Sequence, residues 1–387
     1  MVVTWELPRD RQRAVSQLPA VIGTVAVVAA VVAGAVFAAQ APQRKAPTHH
    51  AVSPFPKLQG ILPAAPLPVS AMSTSGALVA TAAPELVAAG ALWSVQTAGE
   101  SDSFVIRSDP TTLRTLSTTR FTQSTVHCVG LCQLLRAGSV VVMPDVGWRP
   151  LAPNGQPIGA PGLQAAILRF DVGTGRMLTP LLVDDTKIDV ATPHGVYVQV
   201  GLNTLGLLDS TGSRIMQRIS MPFDDAVVYA SGLLWGFDVD GRRLVGVDPT
   251  SGQIGRSFPM PLVAEAQLLP GGSDALLVLP KKEGPGGALA VYRFDTQSMR
   301  LTSGTAYVGG TKVPAGWAVE GSHLWTAYDS RVLEYDAVTF RMIHAYSVTG
   351  ALNDTGINAT VPVTGDRMFI SDSNSNRLGA LDLAKLR

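Results

Sequence analysis

Three pairs of neighbouring side chains are the strongest candidates for binding in this sequence. Asp184–Asp185 and Asp224–Asp225 each place two carboxylates side by side, which could act as acidic metal ligands, although acid pairs on a solvated surface are more common. Trp148–Arg149 lies in a segment rich in Pro and Gly, and Trp with Arg is typical of binding hot spots. A long loop folded over the domain explains that segment equally well. We therefore take six residues as candidate ligand- or partner-binding residues: Trp148, Arg149, Asp184, Asp185, Asp224 and Asp225.

No sequence motif indicates a catalytic centre. The chain has no Gly-x-Ser-x-Gly elbow, no Walker loop and no dinucleotide-binding fingerprint. The histidines outside the N-terminal segment do not occur in i, i+2 or i, i+4 pairs, which would be needed for a local metal site. We predict no catalytic residue, no metal ligand and no cofactor.

The two cysteines, Cys128 and Cys132, are too few for a disulfide scaffold. On a straight strand they would be about 13 Å apart, too far to be bridged. Gly130 between them allows a bend that would bring them together. They are a disulfide candidate if the domain is exported, and the alternatives are two buried thiols and, after these, a redox or metal pair.

Net charge excludes one class of partner. With 30 basic and 29 acidic residues the formal charge is +1, so the chain has no electrostatic footprint for nucleic acid. The 38 glycines and 27 prolines favour a fold with many turns.

A repeated unit gives the first indication of the fold. An alternating apolar strand that ends in Asp, followed by a Thr/Ser/Gly turn and another strand, occurs seven times. The spacings between successive Asp residues are 62, 38, 39, 47, 41 and 46 residues, and five of the six fit a propeller blade of roughly 40–50 residues. The repeated residues are Asp109, Asp171, Asp209, Asp248, Asp295, Asp336 and Asp382. An Asp at this place accepts hydrogen bonds from N–H groups two or three residues on, so we interpret these residues as structural.

An aromatic residue keeps step with the Asp turns. It falls in a strand that begins about 11 to 16 residues before most of them, at Trp93, Tyr197, Trp235, Trp325 and Phe369. A large ring at an equivalent place in each repeat is expected to pack between neighbouring sheets. Each unit then reads as four strands, which in the fourth unit are 226–230, 233–238, 243–248 and 254–259.

These units resemble the YVTN, NHL and quinoprotein-like β-propeller repeats over roughly residues 77–387. The resemblance implies an all-β, seven-bladed β-propeller, with six or eight blades as alternatives, and says little about activity. Quinoprotein-like repeats usually carry a Trp after the Gly of the turn, whereas here the Trp precedes the turn, so the resemblance does not extend to a quinone cofactor. The last unit lacks its outer strand, and we expect the run 77–81 to supply it and close the ring.

If the fold is a propeller, the expected locations of the candidate binding residues follow from it. Loops of neighbouring blades cluster on one face, and the insertion at 144–162 belongs to such a loop. The two acid pairs come just before the innermost strands of successive units, which would bring them near the mouth of the central channel. An exported hydrolase or lactonase-like propeller with carboxylates there is therefore the alternative function.

The N-terminal part predicts an anchor. Residues 19–39 are almost wholly apolar and would span roughly 30 Å as a helix, the thickness of a bilayer core. We divide the chain into a cytoplasmic tail (1–17), a transmembrane anchor (18–40), a Pro/Ala-rich linker (41–75) and the propeller (76–387). A cleaved signal peptide is the alternative to the anchor.

Lys and Arg set the predicted orientation. Three arginines precede the span, while Arg44 and Lys45 follow it, and Lys57 at the edge of the counting window would level the bias. We expect a single-pass cell-membrane protein whose N-terminus is cytoplasmic and whose propeller lies outside the cytoplasm. Its expected role is a binding or interaction scaffold, with a protein or small-molecule partner on one propeller face and no nucleic acid.

Overall fold

Seven sheets arranged as the blades of a β-propeller contain nearly all of the regular structure described. The structure is a computed structural model, and every residue it describes belongs to one unit, Pro54–Arg387. The described residues are 56–74, 82–98, 102–121, 133–148, 164–184, 186, 189–223, 227–238, 242–260, 266–272, 274–280, 289–307, 316–328, 330–348, 363–372 and 377–386. The seven-bladed propeller expected from the Asp spacing is confirmed.

The first three strands come from the segment predicted to be a linker. They are β1 (Leu58–Gly60), β2 (Ala65–Pro66) and β3 (Met72–Thr74), with a short 3-10 helix (Val69–Ala71) between the last two. We call residues 56–74 the strap, because its strands join the outer edges of the fifth, sixth and seventh blades in turn.

The first four blades are complete four-stranded meanders. Their strands are β4 (Ala82–Ala88), β5 (Ala91–Ala98), β6 (Asp102–Ser108) and β7 (Thr115–Phe121); β8 (Leu135–Ala137), β9 (Val140–Trp148), β10 (Gln164–Asp171) and β11 (Leu181–Val183); β12 (Asp189–Thr192), β13 (Gly195–Gly201), β14 (Thr204–Leu208) and β15 (Ile215–Ser220); and β16 (Val228–Ala230), β17 (Leu233–Asp238), β18 (Arg243–Val247) and β19 (Ile254–Pro259). The fourth blade matches the strands expected from its sequence to within two residues.

The last three blades are completed by the strap. The fifth blade contains β20 (Ala266–Pro270), β21 (Ala275–Pro280), β22 (Leu289–Asp295) and β23 (Arg300–Tyr307), with β1 beside β23; the sixth contains β24 (Trp317–Glu320), β25 (His323–Tyr328), β26 (Arg331–Asp336) and β27 (Met342–Ser347), with β2 beside β27; and the seventh contains β28 (Val363–Thr364), β29 (Arg367–Asp372) and β30 (Arg377–Asp382), with β3 beside β30. A second 3-10 helix (Leu383–Lys385) follows β30.

The strand that closes the ring comes from a different segment than the one we expected. Met72, Ser73 and Thr74 pair antiparallel with Leu381, Ala380 and Gly379, so β3 supplies the fourth strand of the seventh blade. The run 77–81, which we expected in this place, lies outside the described residues. The expectation that an N-terminal strand closes the ring is confirmed, but the strand lies several residues earlier.

The strap also contributes two strands that ring closure does not require. β1 pairs parallel with β23 and β2 pairs parallel with β27, so two further blades gain an edge strand. Gln59 ties the fifth blade to the sixth by donating to Thr305 Oγ1 (3.1 Å) and to the carbonyl of Phe340. The predicted linker (41–75) is therefore part of the propeller from residue 56 onwards.

The core lies between blades and not within them. Among the described residues, the buried apolar side chains form seven clusters, and each cluster joins two neighbouring blades. The five repeated aromatics are all at most 1% exposed, as expected for rings packed between sheets: Trp93, Tyr197, Trp235, Trp325 and Phe369. Each buried Trp or Tyr contributes a large apolar area to the contact between two neighbouring blades, which we call a seam. The burial of this apolar area is the main contribution to the stability of the propeller.

Alternating strand direction divides the connections between two faces. Connections between strands one and two, and between strands three and four, emerge on one face, which we call the turn face. Connections between strands two and three, and from one blade to the next, emerge on the other, which we call the loop face. On the turn face the first hairpins are tight: Ala89–Gly90 and Ser231–Gly232 all have positive φ (49°, 70°, 50° and 78°). A positive φ at both central residues matches the primed turns favoured in hairpins.

No helix within the described ranges is long and apolar enough to cross a membrane. The predicted tail (1–17) and anchor (18–40) lie outside those ranges.

Candidate functional site

Two of the predicted binding residues lie within the described residues, and both border connections of the loop face. Trp148 is the last residue of β9, at the start of the connection to β10, and Asp184 follows β11 and is exposed. The remaining candidates, Arg149, Asp185, Asp224 and Asp225, lie outside the described residues. Cys128 and Cys132 also lie outside them, in the connection between the first and second blades.

Sequence reasoning missed one prominent residue of the loop face. Leu202 lies at the tip of the tight connection between β13 and β14 and is 78% exposed, the most exposed of the described large apolar side chains. A single apolar residue in a two-stranded hairpin gives no pattern in the sequence, so exposure could be found only from the structure.

On the turn face the repeated aspartates are structural, as expected. Asp109 shows the pattern: its Oδ1 accepts hydrogen bonds from Thr111 N (2.8 Å), Thr112 N (2.6 Å) and Thr112 Oγ1 (3.0 Å). In four such turns a hydrogen bond from the residue three positions on is the largest influence on the carboxyl group, and it lowers the pKa below the ordinary 3.8. These residues are Asp109, Asp171, Asp248 and Asp336.

Asp209 is held by the most hydrogen bonds. Burial alone would raise its pKa, but donors from Ser213 N (2.8 Å), Thr211 Oγ1 (3.0 Å) and Ser213 Oγ (3.2 Å) outweigh burial and lower the pKa to about 2. Asp382 departs from the pattern, since it precedes a 3-10 helix and its Oδ2 contacts Lys385 Nζ at 3.1 Å. That lysine lowers the pKa of Asp382.

At four contacts between neighbouring blades, a polar side chain of one blade donates a hydrogen bond to a carbonyl in the Asp turn of the next. Thr119 donates to the carbonyl of Gly175 (2.8 Å), and Gln217 donates to that of Thr250 (2.6 Å). Arg256 donates to the carbonyl of Thr296 (2.5 Å), and Arg367 joins the seventh blade to the first through the carbonyl of Pro110 (2.9 Å). Because these bonds satisfy turn carbonyls, much of the polar surface of this face already has structural partners.

The position two residues before the turn Asp carries a long polar side chain in four blades. It is an arginine in the first, second and fifth blades (Arg107, Arg169 and Arg293) and Glu334 in the sixth. Arg107 is buried and its guanidinium lies 5.2 Å from the centre of the Trp93 ring, a cation–π contact.

In the sixth blade three titratable side chains meet across three strands. Glu334 is 1% exposed, and its Oε1 and Oε2 lie 2.8 Å from the Nδ1 atoms of His323 and His344. Both imidazoles contact the carboxylate through Nδ1, so they hold the carboxylate and do not present a shared ligand set. Within the described residues, no group of three or more His, Cys, Asp or Glu side chains could hold a metal ion.

A cavity of about 530 Å³ lies on the turn face between the fifth and sixth blades. Its walls come from the β20–β21 and β24–β25 hairpins and from the two Asp turns, and they include Asp274, Arg293, Asp295 and Gln297. Ligand sites typically fall in the range of about 300–1,000 Å³. No sequence pattern indicated this cavity, because its residues come from four separate segments.

Comparison with solved structures finds matches at low sequence identity. The WD40 domain of Pan2 from Neurospora crassa matches with a TM-score of 0.53 and 11% identity, over 78% of this chain and 88% of that one. A computationally designed protein, Ika8, matches with a TM-score of 0.48 and 11% identity (80% and 98%), and BamB from Moraxella catarrhalis with 0.42 and 13% (75% and 79%).

The likeness to the Pan2 domain shows the propeller fold alone. The resemblance to propeller repeats found in the sequence is thereby confirmed at the level of fold. A scan against models of protein families finds no match, and a search of curated protein sequences finds none.

Proposed function

We propose that this protein is a membrane-anchored, extracytoplasmic β-propeller that binds a protein partner through its loop face. One observation supports the proposal: Trp148 and Asp184, the two predicted binding residues that the structure describes, both border connections of the loop face. On the opposite face the repeated aspartates and several long polar side chains are already engaged in turns and seams. Propellers in general use loops on one face to bind, because the scaffold beneath is rigid.

Leu202 adds support at the third blade. Leu202 is 78% exposed, so a partner could cover most of its apolar surface. Each Å² of apolar surface removed from water stabilises the complex by about 25 cal/mol. Trp148 begins the long connection of the second, adjacent blade. A partner that covers the loop face at these two blades could contact both residues.

Site-specific photo-crosslinking in native membranes tests the proposal. A photoreactive residue at Leu202 or at Trp148 should yield a discrete crosslinked species of higher mass. Val338 is the matched control, because it is also apolar, is 68% exposed and lies in a tight turn of the turn face. Crosslinks from Val338 but from neither loop-face position would contradict the proposal.

The anchor and the location form the second half of the proposal. They are supported by the uncharged segment 14–43 and by the three arginines that precede it. A reporter fused after Arg387 tests them. We expect activity from a reporter that functions only outside the cytoplasm, and activity from a cytoplasm-only reporter would contradict the assigned orientation.

A further inference from the structure

An arginine recurs five residues after the turn Asp in five of the six blades whose Asp turn leads into an outer strand. In four of these blades its carbonyl accepts a hydrogen bond from the N–H of that Asp, and in the fifth blade it is paired with the Asp across β22 and β23. The arginine therefore has an equivalent place in each blade, at the outer rim of the turn face. We call these residues the rim arginines: Arg114, Arg176, Arg214, Arg300 and Arg341.

The rim arginines are exposed, unlike Arg107 and Arg293 of the seams, which are 8% and 6% exposed. The side chain of Arg214 is 76% exposed, and its Nε lies 3.4 Å from Asp209 Oδ2. The side chains of the other four rim arginines make no hydrogen bond or ion pair with another described residue. Most guanidinium N–H donors of the rim are therefore available to a ligand.

Basic side chains dominate the exposed charge of the turn face. Arg136, beside the first hairpin of the second blade, and Lys385, after the last Asp turn, are exposed in addition to the rim arginines. Among the described acidic residues of this face only Asp366 is exposed. The turn aspartates are partly buried and accept hydrogen bonds within their own turns. The turn face therefore presents positive charge to solvent, although the formal charge of the whole chain is only +1.

Exposed apolar side chains lie beside the rim arginines. Leu116 and Met216 come two residues after Arg114 and Arg214, at the bulges of their outer strands, and are 47% and 61% exposed. Ile254, at the same rim of the fourth blade, is 49% exposed. Binding to a bilayer surface is strengthened both by burial of apolar area and by attraction of basic side chains to anionic lipids, and this rim offers both.

The strap begins on the same side of the propeller. β23 runs from the turn face to the loop face, and β1 pairs with it in parallel. The exposed Lys57, which precedes Leu58, therefore lies on the turn-face side of β1. If residues 18–40 form the anchor, the 15 residues from 41 to 55 connect it to the strap, and a Pro-rich chain of this length spans at most roughly 45 Å. The direction of β1 and the charge of the rim point to the same face.

We propose that the turn face docks on the membrane through anionic phospholipid headgroups, so that the loop face points away from the bilayer. The orientation rests on the proposed anchor, whereas the affinity of the rim for anionic lipid does not. The rim arginines are distributed over five blades and do not converge on one small anion, but a bilayer offers phosphate groups to all of them at once. A soluble polyanion would leave Leu116 and Met216 in water.

Quenching of a dye by spin-labelled headgroups shows which face contacts the bilayer. The full chain, with Cys128 and Cys132 replaced by Ser, is reconstituted with one dye, attached through Val338→Cys on the turn face or through Leu202→Cys on the loop face. The vesicles contain phosphatidylcholine and about one third phosphatidylglycerol. Because strands of about six residues separate the two faces by about 20 Å, quenching at position 338 should exceed that at 202 at least about threefold. Equal quenching, or stronger quenching at 202, overturns the proposal.

Salt and a charge variant assign the contact to the rim arginines. Raising the salt from about 0.1 M to about 1 M shortens the Debye length from about 10 Å to about 3 Å and should abolish the difference between the two positions. Replacing four rim arginines together by Gln should do the same at low salt, because each contributes about fivefold to the affinity for an anionic surface. These four are Arg114, Arg176, Arg300 and Arg341. Arg242→Gln, which removes an exposed arginine of the loop face, is the matched control and should leave the difference unchanged.

The salt experiment needs no variant, so it decides if the fourfold variant does not fold. A difference between positions 338 and 202 that persists at high salt overturns the proposal.

Flotation with vesicles distinguishes failure of this inference from failure of the proposed anchor. An anchored chain floats at high salt with phosphatidylcholine vesicles, with or without phosphatidylglycerol, and the quenching experiment then decides. A chain without an anchor should still float with the phosphatidylglycerol vesicles at low salt, and the fourfold variant should not. A chain that floats with neither kind of vesicle but is retained by immobilised heparin binds a soluble polyanion, which overturns the proposal.

Discussion

Loss of the Asp209 carboxylate gives a prediction whose size follows from the structure. Asp209 has a pKa of about 2 in the folded chain against an ordinary value of 3.8, and its side chain is 13% exposed. The difference in pKa corresponds to about 2 kcal/mol of stability, since each pKa unit is worth about 1.4 kcal/mol. Asp209→Asn, which cannot ionise, should therefore be less stable than the parent by about 2 kcal/mol near neutral pH.

The sign of the pH dependence follows from the lowered pKa. A depressed carboxyl pKa contributes stability that is complete above 3.8 and is lost as the pH falls through about 2. The gap in unfolding free energy between the parent and Asp209→Asn should therefore be largest above pH 3.8 and should shrink towards zero near pH 2. Denaturant unfolding followed by tryptophan fluorescence across this range measures the gap.

Asp184→Asn is the matched control for this experiment. Asp184 is an exposed residue of a connection, so its replacement should change the unfolding free energy by less than about 0.5 kcal/mol at any pH. A gap for Asp209→Asn that stays constant down to pH 2, or that is absent at neutral pH, would refute the assignment of this Asp as a hydrogen-bonded pin of its turn.

Three further changes test the seams and the strap. A chain that starts at residue 75 lacks β1–β3 and leaves the seventh blade open, so it should aggregate in size-exclusion chromatography, whereas a chain that starts at residue 56 should elute as a folded monomer. Gly175→Ala should lower the unfolding free energy by about 3 kcal/mol, because φ is +77° and the new Cβ would lie 2.5 Å from Arg107 Cδ; Gly90→Ala, with φ +70° and no atom within 4 Å, should cost about 1 kcal/mol. Glu334→Ala should destabilise by about 1–3 kcal/mol, since it leaves the partly exposed His323 and His344 without the acceptor that they share, and a cost below about 1 kcal/mol would contradict that role.

The blades could be predicted because their signals are local. An Asp that opens a turn accepts hydrogen bonds from residues close to it in the sequence, and the aromatic residue keeps a regular distance from that Asp. The spacing from Asp248 to Asp295 therefore gives the length of one blade directly. Asp382 carries the same sequence signal but precedes a 3-10 helix, and β3 of the strap takes the position of the outer strand beside β30.

The strap could not be predicted because its pairing is set by distant residues. Its prolines favour an extended linker, and its strands are three residues long or shorter. Leu58 pairs with Gly304, which lies more than 200 residues further along the chain. A Cβ at Gly304 would lie 2.7 Å from Leu58 Cδ2. The sequence alone does not distinguish a glycine that makes room for a strap residue from any other glycine in a strand.

The cavity between the fifth and sixth blades could not be predicted from the sequence for a similar reason. Arg169 and Arg293 stand in nearly identical local sequences, Leu-Arg-Phe-Asp and Tyr-Arg-Phe-Asp. They differ in what the next blade offers, since the carbonyl of Thr211 accepts two bonds from Arg169 and that of Ala337 accepts one from Arg293. Neighbouring blades meet through residues that are far apart in the sequence, so this difference has no local signal.

An engineered disulfide between β3 and β30 tests the closed seven-bladed ring most directly. Ser73 and Ala380 are paired across the two strands, so cysteines at both positions, with Cys128 and Cys132 replaced by Ser, should form a disulfide in the folded full chain. Mass spectrometry without reduction would detect it. The account predicts a crosslink between positions 73 and 380 and none between positions 78 and 380. A crosslink at 78 and 380 alone would show that the run 77–81, and not the strap, closes the ring.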